Sequence, residues 1–243
     1  MLRQIEGIII SERDYGETSK IVNILTEEGI IGLMAKGAKT MKSDLRSITG
    51  KLAYCKYNIY YKEGKLSTLA SGDIVDYFKE IRKDITKISY ASFLLELSEQ
   101  VMKQIEEKDV YNLLINALIK INEGYDPLVI TNIVELKYLD YLGVMPNIDG
   151  CSVCGSANNI KTISSDIGGY ICAKCHKNEP IKDEKTIKLI RMFYYVDISK
   201  ISKLDISLNV KKEINDFLDK YYDKYTGLYL KNKDFLKNLN KLT

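Results

Sequence analysis

"IEGIIISERDYGETSKIVNILTEEGIIGLMAK", residues 5–36, decides how the first third of the chain folds. "IEGIIISER" is short, apolar and β-branched, and "DYG" ends it with turn chemistry. "ETSKIVNILT" carries Ile21, Val22, Ile24 and Leu25 as a second apolar strand, "EEG" turns again, and "IIGLMAK" is the third. Runs of this length and composition, bounded by Gly and acidic residues, read as a strand meander.

Outward from the meander, "GAKTMKSDLRSITG" (37–50) has little apolar periodicity and reads as a basic loop with room for one helical turn. "KLAYCKYNIYYK" (51–62) then alternates. Cys55, Tyr57, Ile59 and Tyr61 share one face, and Tyr54, Lys56, Asn58 and Tyr60 the other, as the two-residue period of a strand requires. "EG" turns the chain into "KLSTLASGDIVDYF" (65–78). Three strands plus two, with a loop between, suit a small closed barrel of the OB type. Cys55 reads as a small core residue.

The pattern changes near Ile81. Ile85, Ile88, Phe93, Leu94, Leu97, Val101 and Ile105 recur at helical spacing from Asp84 onward. Asp109 is the expected N-cap of a second helix, with Gly124 just past its end. Asp126–Pro127 is an N-cap followed by proline at the first helical position, and that third helix is expected to run to about Leu142. Beyond Pro180, "TIKLIRMFYYV" is helical in pattern, and Asn209 is the expected cap of another helix through Tyr225. The fold class expected is therefore α+β. An OB-fold barrel spans 1–80, and an α-helical domain spans 81–146 and 181–243, interrupted by an insert over 147–180.

That insert holds four of the five cysteines, in "CSVCGSANNIKTISSDIGGYICAKCH" (151–176). Two Cys-x-x-Cys turns, separated by a hairpin-like linker, supply four soft ligands to one tetrahedron. Cys151, Cys154, Cys172 and Cys175 are the expected ligands of a structural Zn2+, with an iron–sulfur cluster as the chemical rival. Four thiolates close the coordination sphere, so the metal is expected to fold the insert and not to catalyse. His176, the only histidine, sits against this knuckle, a poor place for a general base. "AKGAKTMKS" lacks phosphate-loop spacing, and no Gly-x-Gly-x-x-Gly follows a strand. The expectation is a protein that is not an enzyme.

Net charge is only +3, from 36 Lys/Arg against 33 Asp/Glu, but it is unevenly spread. Residues 36–65 carry eight Lys/Arg against Asp44 and Glu63, whereas 81–146 carry seven against ten acidic residues. A basic barrel with exposed aromatics has the two ingredients of single-strand binding, phosphate neutralisation and base stacking. The candidate contacts are Arg13, Lys20, Lys36, Lys39, Lys42, Arg46, Lys51 and Lys56, with Tyr54 and Tyr60 as stacking platforms. The bland alternative for each tyrosine is a half-buried barrel surface or a contact with the helices. A second lysine-rich stretch, Lys220–Lys241, reads as an extension of a DNA path, as a pocket for an acidic tail, or as an amphipathic helix with a solvated face. No signal peptide or apolar run of about 20 residues is evident, and the expected setting is the cytoplasm with no membrane.

"RDYGE" (13–17) and "LTEEGIIGLMAKGAK" (25–39) resemble the opening of the RecO family, bacterial recombination mediators. "LKYLDYLGVMPNIDGCSVCG" (136–155) resembles that family's entry into its zinc module, and the order of parts matches throughout. The resemblance implies a nucleoid-associated protein that binds single- and double-stranded DNA without sequence specificity and anneals complementary strands. With RecR it would help load RecA onto DNA coated by single-stranded-DNA-binding protein, whose acidic C-terminal tail it would engage. Lys39–Thr40 departs from the arginine-rich pair common in the family, keeping charge without the bidentate fork. The alternative is a zinc-stabilised protein-assembly module whose DNA contact is incidental.

Overall fold

In β1 (Leu2–Tyr15), Ile8, Ile9 and Ile10 are all buried, although successive side chains of a strand point to opposite faces. The strand is covered on both sides. Ile9 points into a barrel, and Ile8 and Ile10 point into a helical core outside it. This computed structural model describes residues 1–105, 107–203 and 205–239.

The barrel closes in the order β1-β2-β3-β5-β4, with β2 at Ser19–Thr26, β3 at Gly29–Ala35, β4 at Tyr54–Tyr60 and β5 at Ser67–Asp76. Its pairs are antiparallel except β3 with β5, which are parallel and meet only at Leu33↔Ser67 and Met34↔Thr68. Ile5, Val22, Ile24, Leu33, Cys55, Tyr57 and Ile59 fill the interior beside Ile9. The Tyr57 hydroxyl is satisfied there, 3.0 Å from the Ala53 carbonyl and 3.2 Å from that of Ile48. The alternation expected along β4 holds on this inner face. The basic loop contains one helical turn, α1 (Leu45–Ile48), whose Ile48 packs on the same interior.

Ile8, Ile10, Leu25, Leu52, Tyr54 and Phe78 line the barrel's outer wall and belong to the core of the helical region. Phe78 is the hinge between the two. Its φ of 47° lies in the left-handed region, at a cost of about 1–3 kcal/mol for a residue with a side chain. Full burial of its ring returns about 1.5–3 kcal/mol. After it come α2 (Lys79–Arg82), α3 (Ile85–Gln104), α4 (Lys108–Asn122), α5 (Pro127–Tyr141), α6 (Glu184–Tyr195), α7 (Leu208–Tyr225) and α8 (Lys231–Leu239). Asp126 caps α5 as expected, and Asp84 caps α3, each accepting from two backbone N–H groups. Buried nearly all round, α5 is the axis of the helical region. The α8 start is held by Glu96 on α3, whose carboxylate accepts from the N–H groups of Lys231 and Asn232 at 2.9 Å.

Two expected caps shift. Asp109 lies in the first turn of α4, which begins after Glu107, and Asn209 lies inside α7, whose cap is Ser207 accepting from Val210 N. Among the described residues, no helix is long and apolar enough to cross a membrane.

Candidate metal centre and nucleic-acid surface

The insert between α5 and α6 is a hairpin, β6 (Ile160–Ser164) and β7 (Gly169–Cys172), with a cysteine knuckle at each end. In the first knuckle the Gly155 N–H returns to the Cys151 carbonyl at 2.8 Å, and Gly155 takes a φ of 76°. In the second, the N–H groups of Cys175 and His176 both reach the Cys172 carbonyl, at 3.1 and 2.9 Å. The hairpin turn needs Gly169, because a Cβ there would sit 2.3 Å from the Asn147 carbonyl oxygen.

These turns bring the four sulfurs of Cys151, Cys154, Cys172 and Cys175 within 4.8 Å of one another. Sulfurs at the corners of a tetrahedron with metal–sulfur bonds of about 2.3 Å would be about 3.8 Å apart, so the set fits a tetrahedral metal ion. The Sγ atoms of Cys154 and Cys172 are 3.6 Å apart, far beyond a disulfide bond of about 2.05 Å. Burial pushes the Cys151 thiol up, but backbone amides of Cys172, Cys154 and Val153 outweigh it and bring the value to about 6. The backbone amide of Cys175 likewise lowers Cys172. Hydrogen bonding to Cys154 and burial push Cys175 up to about 12. Four like charges so close need a cation among them, and the amides already favour thiolate on two of the four. His176 is outside the set, with its Nε2 at 2.7 Å from the Glu179 carbonyl.

The insert is also packed into the rest of the chain. Ile148, Ile163 and Tyr170 belong to the helical core, and the Tyr170 hydroxyl donates to the Ile187 carbonyl of α6 at 2.5 Å. From α7, Lys224 pairs with Asp166 at 2.9 Å and the Tyr225 hydroxyl donates to the Ser165 carbonyl.

At the barrel, the fold gathers part of the expected cationic set. The ends of β1 and β2 pair, setting Arg13 opposite Ile21 and Asp14 opposite Lys20, while Lys20 faces Ala35 of β3. Lys36 follows that residue, and the Lys39 N–H bonds the Thr18 carbonyl at 2.8 Å. Arg13, Lys20, Lys36 and Lys39 thus meet at one end of the barrel. Lys51 joins them, its N–H donating to Glu12 at 3.2 Å. Lys42 and Arg46 are exposed on the connecting loop and α1, with an Arg46 Nη1 at 2.9 Å from the Met41 sulfur. Lys56 and Tyr60 are exposed but lie toward the other end, opposite Glu6 and Leu2 of β1. Along the strand, Leu2 and Arg13 are separated by roughly 35 Å of contour.

Tyr54 corrects an expectation. It stands on the outer face of β4, yet is only 7% exposed, because Phe78 stacks on its ring at 6.0 Å and the helical region covers it. Its hydroxyl bonds Glu6, and burial with that carboxylate pushes it up to about 12. No face of Tyr54 is open to a base. Tyr60, by contrast, is 52% exposed.

Sequence reading overlooked the carboxylates interleaved with the cations. Glu12 pairs with Lys20, and Asp14 pairs with Lys39 at 2.7 Å. The hydrogen bond from Lys39 holds the Asp14 carboxyl below its usual range. The signal was the alternation in "SERDYGE" (11–17). Among the described residues, Arg13, Lys36, Lys42, Arg46, Lys51 and Lys56 make no ion pair, and they remain uncancelled.

In the C-terminal lysine-rich stretch, several groups are structural. Lys233 is buried against Asp219 and Asp223, Tyr221 and Tyr222 are core residues, and Lys224 holds the insert. Tyr229 is exposed, and Lys241 lies outside the described residues.

The chain matches two family models, Recombination protein O N terminal over residues 1–78 and Recombination protein O C terminal over residues 82–234. It is 38% identical to the DNA repair protein RecO of Bacillus pumilus (strain SAFR-032), covering all of this chain and 96% of that protein. Identity to the same-named protein of Bacillus subtilis (strain 168) is 36% over the same shares. For Listeria monocytogenes serotype 4b (strain CLIP80459) it is 34%, over 99% of this chain and 96% of the relative. With a closed barrel bearing unpaired cations, a helical body and a four-thiol cluster in that order, the chain belongs to the RecO family of DNA repair proteins.

Proposed function

We propose that the chain is a non-catalytic mediator of recombinational DNA repair that holds DNA strands on its barrel (residues 1–80) and promotes their annealing. The observation that carries this reading is the group of cations at one end of the barrel, Arg13, Lys36 and Lys51 among them, that pair with no carboxylate among the described residues. Such a surface exchanges condensed counterions for protein charge and reads no base. Two complementary strands held there are concentrated and their mutual repulsion is screened, so pairing accelerates without nucleotide hydrolysis. Lys39 and Lys20, already paired with carboxylates, would act by exchanging partners when phosphate arrives. Membership in the family supports RecR, RecA and the tail of single-stranded-DNA-binding protein as partners, at the nucleoid in the cytoplasm.

Cys151, Cys154, Cys172 and Cys175 would hold a structural Zn2+ with no open coordination position, so the metal would supply stability to residues 147–180 and no reaction. The described helical residues within 81–146 and 181–239 would form the body that carries both.

Annealing of complementary oligonucleotides by the purified chain, run as a salt series, tests the reading. Robust annealing without partners, falling steeply with salt, is expected. Annealing that appears only with RecR would favour the second reading, an assembly module. Exposed Val153 at the first knuckle and Ile181 beyond the second are the features that favour it.

A further inference from the structure

Where the barrel meets the helices, Ile74, Val75 and Asp76 of β5, Tyr77, and Lys79, Arg82 and Lys83 line an open groove. β5 pairs with β3 only as far as Thr68, so beyond that point its β3 side has no strand partner. Two kinds of surface meet there. Tyr77 is 57% exposed and Val75 is 44% exposed, an aromatic face beside an aliphatic one. Three cations, Lys79, Arg82 and Lys83, line the same groove.

The charge is arranged for use. Among the described residues, no carboxylate lies within ion-pair distance of Lys79 or Arg82. Arg82 is held in place by backbone carbonyls, its Nε donating to Tyr77 O at 2.7 Å and its Nη2 to Lys51 O at 3.2 Å. Neutral carbonyls orient the guanidinium without cancelling its charge, and three of its five N–H donors stay available. Of the two nearby acids, Asp76 is turned to the Phe78 N–H at 2.7 Å, and Glu80 pairs with Lys83 at 2.8 Å.

Hydrogen bonds link the groove to the basic end of the barrel. Glu12 pairs with Lys20 and accepts from the Lys51 N–H, and the Lys51 carbonyl accepts from Arg82. A chain of polar interactions therefore leads from β2 to the groove.

We infer that this groove is a second seat for single-stranded DNA, in which Tyr77 stacks an unpaired base and Lys79, Arg82 and Lys83 take the flanking phosphates. The inference rests on the reading of the barrel as a DNA surface and extends its path onto α2. Single strands fit better than duplex, because only an unpaired base offers its face to the tyrosine. An extended acidic peptide along β5 would satisfy the charge but would offer the ring a stacking partner only where it carries an aromatic residue, whereas every unpaired base offers one.

The test uses the full chain with an oligothymidine carrying 5-iododeoxyuridine and with a blunt duplex. Irradiation should give an adduct on the peptide containing Tyr77. Tyr77→Ala should weaken oligothymidine binding by about tenfold, the lower part of the range for one stacked base, and leave duplex affinity unchanged. Lys79→Gln with Lys83→Gln should flatten the log–log salt dependence for single strands by roughly 0.7 for each phosphate that is no longer neutralised. Unchanged oligothymidine affinity in Tyr77→Ala, or equal losses on both ligands, would overturn the second seat. In that event binding by the parent chain that still falls on Lys39→Glu with Lys42→Glu would leave the barrel surface standing. Salt-independent binding by the parent chain would remove the barrel reading and the groove with it.

Discussion

The cysteine insert and the barrel build their sites in opposite ways. In the insert, two short turns set the geometry, and ligands close in sequence are close in space. Only the return across one hairpin, from Cys154 to Cys172, is long range. In the barrel, no local motif makes the surface. Arg13, Lys20, Lys36 and Lys51 come from different elements, and strand pairing assembles them. A site made of turns is all-or-none in its ligands. One made of pairing is graded, since each cation adds its share and none is indispensable.

Substitutions should expose that difference, most strongly at the metal. Cys172→Ser should abolish stoichiometric metal in elemental analysis and unfold the insert, because binding free energy and folding free energy are the same quantity in such modules. Retention of both metal content and melting temperature would break the comparison at its strongest point. Next in size, Phe78→Ala should cost about 3–5 kcal/mol in denaturant unfolding, from loss of a fully buried ring at the hinge. A loss below about 1 kcal/mol would mean that barrel and helices are less coupled than their shared core implies.

On the graded side, Lys39→Glu with Lys42→Glu should weaken DNA binding about tenfold or more at low salt, equally for all sequences, with melting nearly unchanged. Sequence-selective loss in a binding titration would contradict a surface that touches only phosphate. Smallest of all, Tyr60→Ala should shift stability by no more than about 0.5 kcal/mol, as for other exposed positions, whereas Tyr54→Ala should cost several times that. Paired thermal melts of these two tyrosine variants sharpen the contrast between two residues on one strand face.

That pair also marks where the sequence stops being legible. Alternation along β4 tells correctly which residues face out. Whether outward means wet is decided by Phe78 and the helices behind it, and no strand period carries that information. Asp126–Pro127 and the cysteine turns are readable because the groups that need each other are two or three residues apart. In "ISLNV" both Ser207 and Asn209 are good caps, and local rules do not rank them. The cation surface is legible as composition, but its neutralisation by Glu12 requires the register of β1 on β2, and that by Asp14 the return of the loop after β3 to Thr18.

The triple isoleucine of β1 has a consequence for anyone handling this protein in pieces. A barrel cut free after residue 80 would keep Ile9 inside but present Ile8, Ile10, Leu25, Leu52, Tyr54 and Phe78 to solvent together. A contiguous greasy patch of that kind drives self-association. The excised barrel should therefore sediment as oligomers or precipitate, and a DNA-binding measurement made on it would report the aggregate.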